Sequence, residues 1–378
     1  MMQQKFLPAV RPVLLPGLFI LLSSCGFSDG FSDSSNTSNS NTQQTASSGS
    51  VEAGADAGVN TATGTGPDTA QDNSTSPATD NTANNNEIPQ QFNLSANGIL
   101  GFDDLSEASG LAASRNRQNM LWVIADSGNS PELFAINDDG SEVGRISLSV
   151  SNRDWEELAA FTFNGENFLM VADTGDNLRQ YSSYPLHIIR EPQSGASGAL
   201  QPLVTLSLTY PDGAHDVEAL AVAESDGNLY LVSKDETPGV YAVPLLATLS
   251  TLSNNSASIA QQSQPVPVIA TRIGNLPAPQ QSTTDSFLGM LAGVNLGSVT
   301  AMDIDDTRGR IWLLTYRGIY LVQIVGNSTL GQALTSQSTL VSRHSLGQAE
   351  SLAYSRLQDA VFVTSEGRAA TVLKLVSQ

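Results

Sequence analysis

The sequence predicts an all-β fold: a β-propeller, five-bladed on the simplest count, closed by an N-terminal strand and preceded by a disordered tether. Three observations predict it. A short segment ending in an apolar residue recurs five times between residues 105 and 355; each copy is followed nine or ten positions later by a second apolar run; and the turn-forming residues fall between those runs. Four short strands per unit of roughly 50 residues are the pattern of a propeller.

The chain begins with Lys5 and Arg11, no acids, and an apolar run from Val13 to Leu22. That run is too short to span a bilayer, which takes roughly 20 apolar residues, but it suits the core of a signal peptide. It ends in Leu22-Ser23-Ser24-Cys25, and Cys25 is the only cysteine in the chain. This arrangement resembles the bacterial lipobox, in which the thiol is acylated and becomes the first mature residue. The resemblance implies residues 1–25 as a lipoprotein signal peptide, the lipid bilayer as a partner through Cys25, and a place in the cell envelope. Gly26 after the cysteine implies the outer membrane if the cell is Gram-negative.

Residues 26–90 are rich in Ser, Thr, Asn, Gly, Ala and Asp and contain neither Lys nor Arg. Such a stretch cannot bury enough apolar surface to offset the entropy of ordering it. As a flexible acidic coil it reaches about 45 Å. The folded domain is therefore expected in residues 91–378.

The five first segments are Ser109-Gly110-Leu111, Glu156-Glu157-Leu158, Glu218-Ala219-Leu220, Thr300-Ala301-Met302 and Glu350-Ser351-Leu352. Second runs start at Leu121, Phe168, Leu229, Ile311 and Val361, behind hairpin turns such as Asn164-Gly165. Third runs lie at 133–136, 186–189, 240–243, 319–322 and 372–375, and fourth strands at 145–149, 203–210, 266–273 and 339–345. The last unit lacks a fourth strand, while Phe92, Leu94 and Ala96 alternate with polar residues ahead of the first. The N-terminal strand is expected to complete the final blade. The long interval from Asp216 to Ser298 leaves room for a degenerate sixth blade between 250 and 297, and Asp285 to Val294 for a short apolar helix, packed on the ring or acting as a lid or partner contact.

In a propeller the start of the inner strand and the end of the second strand meet on one rim. The first aligned column is Ser109, Glu156, Glu218, Thr300 and Glu350, preceded by Glu107, Asp154 and Asp216. The second is Asp126, Asp173, Lys234, Tyr316 and Glu366, with Asp176 and Arg317 close behind. Carboxylates gathered this way repel unless something neutralises them. Three resolutions compete: backbone N–H groups and neighbouring blades staple them; a hard cation such as Ca²⁺, which takes six to eight oxygens, sits among them; or two share a proton and act as acid and base. The candidate metal set is Glu156, Glu218, Asp173, Asp176 and Glu350. His215, Lys234 and Arg317 are the candidates for a catalytic or anion-holding role.

A formal net charge of −20 argues against nucleic acid as a partner. A lone cysteine leaves no intramolecular disulfide or Cys-rich zinc site. No phosphate-binding Gly-rich loop, His-Glu-x-x-His or regular EF-hand loop is present, and the folded part, residues 91–378, holds no Gly-x-Ser-x-Gly nucleophile elbow.

The succession Arg153-Asp154-Trp155-Glu156-Glu157-Leu158, Asp173-Thr174-Gly175-Asp176-Asn177, His215-Asp216-Val217-Glu218-Ala219-Leu220, Thr315-Tyr316-Arg317 and Glu350-Ser351-Leu352-Ala353 resembles a family of bacterial secreted propellers, mostly uncharacterised and loosely similar to phytase-like and esterase-like propellers. The resemblance covers nearly all of residues 105–375. It implies the propeller and an acidic, Ca²⁺-binding centre; phosphate-binding and calcium-binding positions do not match as a complete set. Two functions follow as expectations. The first is a tethered binding or scaffolding module for an envelope protein or small anionic ligand. The alternative is a metal-dependent phosphoester or ester hydrolase.

Overall fold

The computed structural model describes residues 91–193, 197–253, 259 and 261–378. The proposed signal peptide with Cys25, and the tether, lie outside the described residues.

The chain enters through β1 (Phe92–Ile99). Blade 1 is β2 (Ala108–Ala113), β3 (Met120–Ala125), β4 (Glu132–Asn137) and β5 (Glu142–Leu148). Blade 2 is β6 (Trp155–Phe163), β7 (Glu166–Asp173), β8 (Tyr184–Arg190) and, after the short β9 (Gly198–Leu200), β10 (Val204–Thr209). Blade 3 is β11 (Val217–Ala223), β12 (Asn228–Ser233) and β13 (Gly239–Val243); then, beyond α1 (Leu245–Leu252) and β14 (Val266–Ile269), comes β15 (Thr271–Asn275). After α2 (Thr283–Ala292), blade 4 is β16 (Val299–Asp305), β17 (Arg310–Thr315), β18 (Gly318–Gln323) and, past α3 (Leu330–Leu334), β19 (Thr339–Arg343). Blade 5 is β20 (Ala349–Ser355), β21 (Ala360–Ser365), β22 (Thr371–Ser377) and β1, which pairs antiparallel with β22. Both ends of the described chain thus share one sheet, as the alternation at Phe92 to Ala96 predicts.

A closed ring of five blades has five interfaces, and five apolar clusters fill them. The inner strands β2, β11 and β20 are buried along their whole length, and β6 and β16 nearly so, because each lies between two neighbouring blades. Trp122, Trp155 and Trp312 are fully buried. Phe92 of the closing strand meets Trp312 of blade 4 edge to face at 5.3 Å, so the closure is packed as well as hydrogen-bonded.

Among the described residues the long interval holds no sixth blade. Its apolar run 266–273, read as one strand, serves two sheets. β14 adds parallel to the outer edge of blade 2, where Pro267, lacking an N–H, is tolerated. After Ala270 the chain crosses to become the outer strand β15 of blade 3. β9 extends blade 1 in the same way. The predicted short helix forms, but it is not packed on the ring through its apolar side chains: Gly289 is its only buried residue. Among the described residues no helix is long and apolar enough to cross a membrane.

The site depends on one repeated detail. In every blade the pairing of first and second strands slips by one residue, between Ala108/Gly110, Trp155/Glu157, Val217/Ala219, Val299/Ala301 and Ala349/Ser351. The residues skipped are Ser109, Glu156, Glu218, Thr300 and Glu350, the first column of the sequence alignment. A bulge leaves its extra residue unpaired and re-aims the side chain.

Candidate metal centre

The bulged residues divide by chemistry. Ser109 Oγ donates to the Trp155 carbonyl at 2.6 Å and Thr300 Oγ1 to the Ala349 carbonyl at 2.7 Å. Each hydroxyl bonds to the blade that follows. A glutamate carboxylate has no proton to donate to such a carbonyl, and Glu156 and Glu218 meet instead in one carboxylate group.

Around Glu156 the rim collects five carboxylates. Oxygens of Asp126, Asp154 and Glu156 lie within 4.8 Å of one another, as do oxygens of Glu156, Asp216 and Glu218. Glu156, Asp216 and Glu218 are buried. No hydrogen bond reaches the Glu156 carboxyl from the described residues. Asp216 accepts the Asp176 N–H at 2.8 Å, and Asp126 accepts the Ser127 N–H. Glu218 Oε1 pairs with the Lys234 ammonium, while Glu218 Oε2 is buried with no partner. Gly175 lines the same space: a Cβ there would stand 2.3 Å from Glu156 Oε1 and 2.5 Å from the Asp154 carboxyl.

The electrostatics follow from burial and crowding. Burial pushes the Glu156 carboxyl well above the ordinary range, and Glu218, Asp126, Asp154 and Asp216 add to it. Asp126 is pushed up to about 6 by burial, against the pull of the Ser127 N–H. Glu218 is raised by burial and by Glu350, although Lys234 opposes the shift. Burial works against the Lys234 ammonium, yet Glu218 and Tyr316 hold it above its usual value. One cause explains both directions: a poorly solvated region with excess negative charge retains positive charge, whether protons or a metal ion.

The rim continues into blades 4 and 5. Lys234 Nζ lies 5.5 Å from the centre of the Tyr316 ring, and Tyr316 Oη donates to Glu350 Oε1 at 2.9 Å. Glu366 is pushed up to about 9 by burial and by its hydrogen bond to Glu350. Glu107 accepts from Asn129 Nδ2 at 2.7 Å on the exposed margin.

No protein-family model and no curated protein sequence matches the chain. Among solved structures, an auxiliary nutrient binding protein from Bacteroides thetaiotaomicron is similar at 8% identity, covering 76% of each chain, with a TM-score of 0.38. A second protein of that organism, of unknown function, has 10% identity over 76% of each chain and a TM-score of 0.38.

Of the candidate metal ligands, Glu156 and Glu218 stand in the carboxylate cluster, and Glu350 stands beside it with Glu366. Asp173 and Asp176 are turned to other donors. Asp173 is buried, pairs with Arg153 Nε at 3.2 Å and accepts the N–H groups of Arg153 and Asp154. Asp176 accepts from Gln180 N, Tyr181 N and Tyr184 Oη at 2.8 to 2.9 Å; those bonds outweigh burial and hold it below the ordinary carboxylate range. Between them, Thr174 Oγ1 donates to the Val217 carbonyl of blade 3 at 2.7 Å. The acidic loop is a staple between blades.

His215 has both ring nitrogens engaged: Nδ1 lies 3.0 Å from Asp235, and Nε2 lies 3.1 Å from Asp212 and 2.8 Å from Tyr241 Oη. Arg317 acts electrostatically on Asp285 and His344, on the outer side of blade 4. Asp126, Asp154 and Asp216 belong with Glu156 and Glu218 in the cluster, a grouping the alignment columns alone do not reveal. The signal was present as Asp-x-Glu, repeated at Asp154-Trp155-Glu156 and Asp216-Val217-Glu218.

Proposed function

We propose that residues 91–378 are a metal-dependent binding module of the cell envelope, tethered by acylated Cys25, whose central cluster takes up a divalent cation. Oxygen-only donors of this number suit Ca²⁺, which takes six to eight oxygens at 2.3–2.6 Å. Glu156 and Glu218 would hold it, with Asp126, Asp154 and Asp216 and added water. The cation would turn a negative mouth into one that accepts an anionic ligand or an acidic surface of an envelope protein.

The observation that carries this reading is Glu218 Oε2, buried and unpartnered within the Glu156, Asp216 and Glu218 group. A buried charged oxygen without a partner is costly, and a metal would satisfy it. At Gly175 the absence of a side chain keeps the space beside Glu156 open.

The experiment is metal analysis and calcium titration of the purified mature protein, beside Glu218→Gln. Binding of calcium that the substitution weakens at least tenfold is the expected result. No uptake at millimolar calcium, with no change in melting on adding chelator, overturns the reading. The alternative, a metal-dependent phosphoester or ester hydrolase, draws on Lys234 standing beside the cluster. Chelator-sensitive turnover of a generic phosphoester would favour it.

A further inference from the structure

Helix α2 is amphipathic in the wrong sense for a helix that packs on a globular domain. Its inward contact is Gly289, where a Cβ would stand 2.6 Å from the Val294 carbonyl. Phe287, Met290 and Leu291, spaced i, i+3 and i+4, form one stripe and are 55%, 70% and 67% exposed, with Leu288 on the flank at 44% and Val294, just past the end of the helix, at 49%.

The helix is held firmly in that attitude. Ser282 caps its N-terminus, accepting the Asp285 N–H at 3.0 Å and donating to Asp285 Oδ2 at 2.6 Å. Asp285 in turn pairs with Arg343 of β19. At the other end Gly293, at φ 70°, closes the last turn, and Val294 N–H donates to the Gly289 carbonyl at 3.0 Å. Rigid presentation of an apolar stripe indicates that something covers it.

We propose that α2 lies against a lipid bilayer as a second membrane contact for a domain already tethered at Cys25. The proposal rests on that tethering for its strength, not for the character of the patch. Three observations favour a bilayer. Residues 270–300 contain only Arg272 and Asp285 as charges in a chain of formal net charge −20, so this segment approaches a membrane surface with little repulsion. A flexible coil of the length of residues 26–90 spans about 45 Å, which would keep the propeller within range of the membrane and let a weak contact suffice. Four apolar side chains on a ten-residue helix fall short of the roughly 800 Å² per partner of a standard protein interface, which disfavours a second copy of the chain.

The closing strand lies within residues 91–378, so the chain from residue 26 keeps the whole propeller while lacking the acyl group. Its flotation with phosphatidylcholine and phosphatidylethanolamine vesicles at millimolar lipid tests α2 independently of Cys25. Partition into the vesicle fraction is expected, lowered at least tenfold by Phe287→Ser with Leu291→Ser. Both sites are exposed, so melting should not change. A Met290→Trp reporter should be quenched by brominated lipid. No partition at that lipid concentration, or equal partition of the double variant, overturns the proposal. So does a concentration-dependent dimer that the double variant abolishes, which would assign the stripe to a second copy.

Discussion

Glu218 holds the Lys234 ammonium with one carboxylate oxygen and keeps the other buried, unpartnered, beside Glu156 and Asp216. Lys234 is thus the internal counter-ion of the cluster, and among the described residues no other cation pairs with its buried members Glu156, Asp216 and Glu218. Lys234→Met should destabilise the metal-free protein by about 3 kcal/mol, the cost of breaking a buried pair. With calcium present the loss should be smaller. Denaturant titration in chelator and in calcium checks both.

The metal-free protein should lose stability as pH rises. Asp126 is raised from 3.8 to about 6 and Glu366 from 4.5 to about 9 in the folded state. A group whose folded pKa lies above its unfolded one stabilises below the unfolded value and ceases to do so as pH climbs through the folded one. The decline should therefore run from about pH 4 to about pH 9 in chelator. Calcium should flatten the upper part of the curve by replacing the displaced protons. Melting temperature against pH, with and without calcium, is the measurement.

Gly175→Ala should damage the centre more than any exposed rim change. The new methyl meets Glu156 and the Asp154 carboxyl at under 3 Å, and overpacking of this kind costs about 1–3 kcal/mol. Cation uptake should fall with stability. Leu178→Ala, at an exposed loop site, serves as the control and should change neither.

Removal of the closing strand should be decisive where removal of the tether is not. A chain starting at residue 100 loses β1, its ladder with β22 and the Phe92 contact with Trp312. It also exposes the β22 edge to association. It should melt at lower temperature or aggregate. A chain starting at residue 86 should melt as the full chain does. Differential scanning calorimetry distinguishes them.

The ring itself was legible because each blade repeats the same hydrophobic spacing and the same turn chemistry, so weak signals add. The closing strand was legible for the complementary reason, an unmatched strand at each end. What escaped was anything set by crossing between blades. The run 266–273 has one hydrophobic pattern but divides between two sheets, a choice made by neighbours distant in sequence. The same applies to the acidic loop. Nothing in Asp173-Thr174-Gly175-Asp176 distinguishes a metal loop from a staple until Arg153, Tyr181 and Val217 are placed around it. The bulge was invisible too, since a slipped register leaves composition untouched, yet it determines where Glu156 and Glu218 point.

Because the same slip occurs in all five inner strands, the centre is furnished by five equivalent sockets mounted on a chassis whose apolar filling lies elsewhere. A short hydroxyl in a socket closes it against the adjoining blade, and a glutamate opens it. The chemistry of the hub can therefore be rewritten one socket at a time while the wheel that carries it is left alone.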